Sequence, residues 1–321
     1  MSVTIVTTSP GFGKIGKVPD AIAKRNWRLF RCIDSRIPDG GVLKYIDDME
    51  ILVVGLIPAT SGIIHQAPKL KAILKHGVGV DNIDIPAATS RGIPVINAPG
   101  TNANAVAELA TGIMFSLARR IPMVHREVVS GGWLRHVGSE IADKTLGIVG
   151  LGNIGKRLAL KARALGMAVI ASELSPDRDF AATNQIRLVS LDELLAEADY
   201  VSLHVFGGRD NANLIGAREL SLMKKSAYIM NFARGEILDL DALAAALDRK
   251  QLLGAAIDAY VVEPPDRNHP IFSIPDVIFT PHSGADTTES VERMGLMNVA
   301  DIDRVLAGEK SPRVLNPEIY G

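Results

Sequence analysis

The stretch Thr145-Leu146-Gly147-Ile148-Val149-Gly150-Leu151-Gly152-Asn153-Ile154-Gly155-Lys156 joins an apolar run to G-x-G-x-x-G and then to a helical pattern. Such a sequence reads as a strand, a tight turn and a helix start. Gly150 suits the tight turn, Gly152 lets backbone approach a pyrophosphate, and Gly155 lets the helix pack closely on its strand. The N–H groups at that helix start, around Asn153 and Ile154, would hold phosphate oxygens. In a chain with 29 glycines the spacing alone would arise by chance, so the flanks decide. A helix is expected over Lys156 to Leu165 and a strand over Met167 to Ala171. Glu173 then stands near the spacing of the acid that binds adenosine ribose hydroxyls. An acid there disfavours a 2′-phosphate. The cofactor reading is therefore NAD, with NADP the lesser alternative because Arg178 follows five residues on.

A length of 321 residues suggests two domains, and 47% apolar residues suffice for two cores. The formal net charge of −1 argues against nucleic acid or an anionic membrane as a partner held by bulk electrostatics. Cys32 is the single cysteine, so no intramolecular disulfide can form. The start MSVTIVTTS lacks the pattern of a secretory signal, and no apolar run has the length of a membrane span. These features lead to an expectation of a cytoplasmic, globular protein without a metal site.

Short apolar strands are expected at Val3 to Thr7, Trp27 to Arg31, Ile51 to Val54, Ala72 to Lys75 and Pro94 to Asn97, separated by helical or turn-like segments. This alternation implies a parallel, helix-covered sheet. Ser9-Pro10-Gly11-Phe12-Gly13 reads as a surface loop after the first strand. From Thr145 six further strands are expected, enough for one doubly wound nucleotide domain: Leu146 to Val149, Ala168 to Ala171, Tyr200 to His204, Tyr228 to Asn231, Gly254 to Asp258 and Val277 to Thr280. A helix over Asn104 to Arg119 would carry the chain between domains. The tail, with a helix over Glu289 to Leu306, is too short for its own core and would return to the first domain. The expected fold class is α/β, with two doubly wound parallel sheets. Residues 1–100 and 286–321 form a discontinuous flavodoxin-like substrate domain, and residues 101–285 a Rossmann NAD-binding domain. A cleft between the domains is the expected ligand site.

A nicotinamide enzyme needs a cation for its substrate and a group that handles a proton. Arg234 follows a strand, where ligands of open α/β sheets bind, and its planar fork suits a carboxylate. It could equally be a helix-start arginine paired with Glu236 or Asp239. His282 also follows a strand and can exchange a proton near neutral pH, although it is one of seven histidines. Glu263 again lies past a strand. It reads either as a solvated loop acid or as the partner that fixes the imidazole's tautomer.

Taken together, these segments resemble the D-isomer-specific 2-hydroxyacid dehydrogenase family over nearly the whole chain. The likeness is ordered: His76-Gly77-Val78-Gly79-Val80-Asp81-Asn82-Ile83-Asp84, Gly92 to Asn97, Ala107-Glu108-Leu109, the glycine turn, Ala233-Arg234-Gly235, Glu263-Pro264 and Thr280-Pro281-His282. The resemblance implies that Arg234 binds the substrate's carboxylate and carbonyl, that His282 is the acid/base and that Glu263 is its partner. It places Val78 and Gly79 at the substrate carboxylate and Asn102 at the substrate. Asp258 is placed at the nicotinamide carboxamide, and His204 and Ala233 at the cofactor. Phe206 and Gly208 stand where members usually carry proline and threonine, and Ser283 stands where an aliphatic residue is usual. Glu173 replaces the usual aspartate.

Within the family the likeness leans towards phosphoglycerate dehydrogenases, seen in His76 to Asp84 and in Ala118 to Pro122. Lys75 occupies a place where those enzymes commonly have arginine, which suggests a substrate with an anionic tail, 3-phosphoglycerate or 3-sulfolactate. Glyoxylate or hydroxypyruvate is the alternative, with Lys75 a rim charge. After Asn316-Pro317-Glu318 no regulatory domain is expected. Glu263 disfavours a formate dehydrogenase, whereas a phosphite dehydrogenase stays open. The resemblance also implies a homodimer. An NAD-sensing, corepressor-like binding module is the competing reading of a different class.

Overall fold

The computed structural model describes residues 2–34 and 36–321, which fold as two compact units. The first combines residues 1–102 with 285–321 and the second is residues 103–284.

In the first unit the chain runs β1 (Thr4–Thr7), α1 (Val18–Lys24), β2 (Arg28–Arg31), β3 (Ile51–Val54), α2 (Ser61–Gln66), β4 (Ala72–Lys75), α3 (Ile85–Ser90) and β5 (Val95–Ile96). All pairings are parallel, in the order β2-β1-β3-β4-β5. That is the flavodoxin-like order. β1, β3 and β4 are buried throughout, as strands covered on both faces must be. The segment after β1 corrects one expectation. Phe12 lies fully buried, and the carbonyls of Phe12 and Gly13 both accept from Nη2 of Arg31, so Ser9 to Gly13 is packed and not merely a surface loop.

The second unit opens with α4 (Ala103–Arg119) and α5 (Ile121–Val129), then continues β6 (Thr145–Val149), α6 (Asn153–Ala164), β7 (Ala168–Ser172), α7 (Arg178–Thr183), β8 (Arg187–Leu188), α8 (Leu191–Glu197), β9 (Tyr200–Leu203), α9 (Ala217–Leu222), β10 (Tyr228–Asn231), α10 (Leu240–Asp248), β11 (Gly254–Ile257) and β12 (Val277–Phe279). The sheet has seven parallel strands in the order β12-β11-β10-β9-β6-β7-β8, the Rossmann order with one added strand. The seventh strand, β8, was not expected. It is a two-residue edge strand with no apolar run to announce it. The order reverses between β6 and β9, so the glycine turn and the loop after Leu203 flank the switch point where nucleotides bind. α11 (Thr288–Leu306) then belongs to the first unit, burying Val299 and Ile302 with Ile5, Val18 and Leu74.

Side-chain caps start most of these helices. Thr60, Asp84, Asp177, Ser190, Asp239 and Thr287 each accept from the N–H three residues on. α6 differs, because its N-cap is Gly152 and no side chain satisfies its first N–H groups. Among the described residues no helix is long and apolar enough to cross a membrane.

Candidate active site

Gly150 stands at φ +96, left-handed backbone that favours glycine, and a Cβ there would lie 2.8 Å from the backbone of His204. A Cβ on Gly155 would lie 2.2 Å from the carbonyl oxygen of Gly150, so the helix packs on the turn only without a side chain. Gly152 is different: a Cβ there would meet nothing within 4 Å. The space over Gly152 and the open N–H groups of Asn153, Ile154 and Gly155 form a cradle for an anionic group. Glu173 follows β7, and its Oε2 accepts from the N–H of Leu151 at 2.9 Å while Oε1 accepts from that of Ser175 at 3.1 Å. The acid is thereby fixed against the glycine turn. His204 lies half-buried after β9, with Nε2 2.8 Å from Oγ of Ser202 and its ring stacked on Phe232. Burial pushes its pKa down to about 3, so the ring is neutral. Phe206, two residues further on, is 79% exposed, so this departure from the usual proline presents a bare aromatic ring.

Three neighbouring strand ends bring the candidate side chains into one region of the second unit. After β10, the side chain of Asn231 closes a turn: its Oδ1 accepts from the N–H of Ala233 at 3.0 Å and its Nδ2 donates to the carbonyl of Arg234 at 2.9 Å. That turn presents Arg234, whose Nη1 donates to the carbonyl of Ala233 at 2.8 Å. Past β11, Glu263 Oε1 stands 2.7 Å from Nδ1 of His282 and also accepts from the N–H of Tyr260 at 3.2 Å. Burial acts to raise the Glu263 carboxyl pKa. The hydrogen bond and charge of His282, the Tyr260 N–H and the charge of Arg234 outweigh it and hold Glu263 below the usual carboxylate range. With Nδ1 committed to a carboxylate, Nε2 is the nitrogen of His282 left for proton exchange.

His282 sits at φ +53, left-handed backbone that a non-glycine residue adopts only when held. Asp258 holds it. Its Oδ1 accepts from Oγ1 of Thr280 at 2.6 Å and from the N–H of Ser283 at 2.9 Å, and its Oδ2 accepts from the N–H of Gly284 at 3.1 Å. Oδ2 keeps capacity for one more donor, so the carboxylate can serve a ligand as well as the loop.

In the first unit, Val78 and Gly79 follow β4. Among the described residues nothing accepts from their N–H groups. Nδ2 of Asn97 donates to the carbonyl of Val78 at 2.8 Å, and Gly77 accepts from the N–H of Ala98 at 2.9 Å, which fixes the turn. These free donors make an anion nest. Asn102 lies half-buried just before α4. Lys75 is buried, and its Nζ donates to the carbonyl of Gly55 at 2.6 Å and to Oδ1 of Asn82 at 2.8 Å. Its ammonium therefore braces the loops after β3 and β4 from inside.

The family model described as D-isomer specific 2-hydroxyacid dehydrogenase, NAD binding domain, matches residues 111–284. The chain belongs to the D-isomer specific 2-hydroxyacid dehydrogenase family. It is 39% identical over 279 residues to a D-3-phosphoglycerate dehydrogenase of Methanocaldococcus jannaschii, covering 86% of this chain and 53% of that protein. It is 35% identical over 299 residues to a glyoxylate reductase of Thermococcus litoralis, covering 89% of each. A D-lactate dehydrogenase of Aquifex aeolicus, solved with NAD and lactic acid, superposes with a TM-score of 0.82 at 26% identity, covering 95% of this chain and 96% of that one. The chain spans about half the length of the phosphoglycerate dehydrogenases it matches.

The residues matched by the NAD-binding-domain model all lie in the second unit, and the residues of that unit fit the cofactor. The open space at Gly152, the uncapped start of α6, the anchored Glu173 and the spare acceptor on Asp258 are what a dinucleotide requires. Arg234, Glu263 and His282 stand out in the sequence, whereas the residues that hold their loops, Asn231, Tyr260 and Thr280, do not. Asn231 carried a usable signal, an asparagine ending a strand before a turn. Tyr260 carried none, and Thr280 stood in the Thr280-Pro281-His282 segment without a sign of its bond to Asp258.

Proposed function

We propose that this chain catalyses reversible hydride transfer between NAD(H) and C2 of a small 2-hydroxy or 2-oxo acid. The observation that carries this reading is the Glu263–His282 pair at 2.7 Å, with the charge of Arg234 felt at the same carboxylate. The first unit serves as the substrate-binding domain.

Bound NAD supplies the hydride acceptor. The chain's own residues do the rest. Arg234 pairs with the acid's carboxylate and polarises its carbonyl, and within the first unit the N–H groups of Val78 and Gly79 offer a nest for anionic charge. Nε2 of His282 accepts the hydroxyl proton in oxidation and returns it in reduction. Glu263 stabilises the imidazolium so formed.

The far end of the acid separates two readings. Lys75 spends donors on Gly55 and Asn82, and the same loop exposes Leu56, which favours a short uncharged tail such as that of glyoxylate or hydroxypyruvate. The likeness to the M. jannaschii protein favours an anionic tail, 3-phosphoglycerate or 3-sulfolactate. A homodimer in the cytoplasm completes the proposal, supported for the dimer by the exposed Trp133, Leu134 and Val137.

The test is a panel of these acids with NAD and NADP, run on the parent and on His282→Ala. The parent should turn over at least one acid with NAD. His282→Ala should lose about 10³-fold or more in kcat while its NADH affinity stays within about twofold. NADH binding without turnover of any acid would overturn the enzyme reading in favour of a binding module.

A further inference from the structure

Tyr260 lies two residues beyond Asp258 and makes contacts that none of the reacting groups makes. Its hydroxyl lies 3.1 Å from the carbonyl of Ile257 at the end of β11 and 3.1 Å from the carbonyl of Thr280, two residues before His282. One phenolic proton is thus shared between two strand ends. Its backbone N–H donates to Oε1 of Glu263 at 3.2 Å, the same oxygen that meets His282. Its peptide with Val261 abuts Gly235, where a Cβ would fall 2.1 Å from the Tyr260 carbonyl carbon. Gly235 immediately follows Arg234. The loops that bear Arg234, Glu263 and His282 therefore all lean on one residue.

We propose that Tyr260 is a positioning residue that sets the Glu263–His282 pair and the Arg234 turn in a single arrangement, an inference that rests on the dehydrogenase reading above. Its ring packs on Phe272, with centroids 6.4 Å apart, and this contact does not need the hydroxyl. Burial first, then the charges of Asp258 and Glu263, push the phenol up to about 12, so it stays a donor throughout the working range. The charged groups that face Glu263 are His282 from the loop after β12 and Arg234 from the loop after β10. When the Thr280 carbonyl is released, the His282 loop loosens, and Glu263 loses part of what holds its carboxyl down.

The test is Tyr260→Phe in the full chain, which keeps the ring and the backbone N–H. Two measurements are made. Steady-state kinetics should give a kcat lowered by about tenfold, with KM for the acid and Kd for NADH within about twofold. The acid limb of kcat/KM for reduction should move to higher pH. Independently, the ¹³C titration of the Glu263 carboxyl, assigned against Glu263→Gln, should show its midpoint moved upward. An unmoved Glu263 midpoint overturns the proposal, whatever happens to kcat, because a merely structural tyrosine would lower turnover without touching that titration. If the parent turns over no acid, the dehydrogenase reading falls, and the carboxyl titration still decides the role of Tyr260.

Discussion

His282 pays for its place with left-handed backbone, which costs about 1 kcal/mol or more for a non-glycine residue, and Asp258 offsets that with three accepted hydrogen bonds. Glu173 is placed by the same kind of local anchoring. Because its carboxylate is fixed to the N–H of Leu151, its negative charge cannot swing away from a 2′-phosphate. Glu173→Ser should therefore raise affinity for NADPH relative to NADH by about tenfold or more, read by calorimetric titration of both. An unchanged ratio would mean that another group sets the preference. Arg234, Glu263 and His282 were legible in the sequence because residues at strand ends in this fold class face ligands. The holding roles of Tyr260 and Thr280 were not, since a hydroxyl that bonds the Thr280 carbonyl and one that bonds the Asp258 carboxylate join residues about twenty positions apart and leave no spacing to read. Lys75 showed the opposite failure. Its charge was visible, but the inward partners that occupy it, Gly55 and Asn82, were not.

At the scale of elements, β1, β3, β4 and β6 were readable because strands buried on both faces must be continuous apolar runs. β8 failed that rule, since an edge strand of Arg187 and Leu188 need not be apolar. The strand ends also hold two half-buried histidines whose rings are largely desolvated. His76 after β4 is pushed down to about 4 and His204 after β9 to about 3, in each case by burial first. Both folded values lie below the ordinary 6.5, so on acidification the unfolded chain binds the protons first. Stability contributed by the neutral rings is complete above about pH 6.5 and drains away as pH falls towards the folded values. Between pH 7.5 and 5 each ring should cost on the order of 2 kcal/mol. Urea unfolding of His204→Asn across that interval should show a loss smaller than the parent's by about this amount. An identical pH slope would mean that the buried ring takes up its proton without unfolding.

At the scale of the whole chain, the second unit is one continuous stretch, whereas the first needs both ends of the sequence. The returning tail is held by specific polar contacts as well as by apolar ones. Asp301 on α11 is fully buried and accepts from Oγ of Ser311 at 2.7 Å and from Nη2 and Nε of Arg313 at 2.7 and 3.0 Å. The backbone then pairs with β5, where the N–H of Leu315 donates to Val95 at 2.8 Å. Asn316 is fully buried beyond it. Its Oδ1 accepts from the N–H of Val95 at 2.9 Å, and its Nδ2 donates to the carbonyl of Ile93 at 2.9 Å and to Oγ1 of Thr89 at 3.0 Å. Asn316→Ala would strand a backbone donor and a backbone acceptor inside the unit, at a cost of about 2–4 kcal/mol. Because these contacts lie in the first unit and the cofactor residues in the second, NADH affinity should stay within about twofold while the urea midpoint falls. Glu318→Ala, at an exposed acid 3.5 Å from Thr89, should leave the midpoint unchanged. Equal effects of the two substitutions would mean that the tail is held by its apolar contacts alone, Val314 among them, and that the buried asparagine adds nothing.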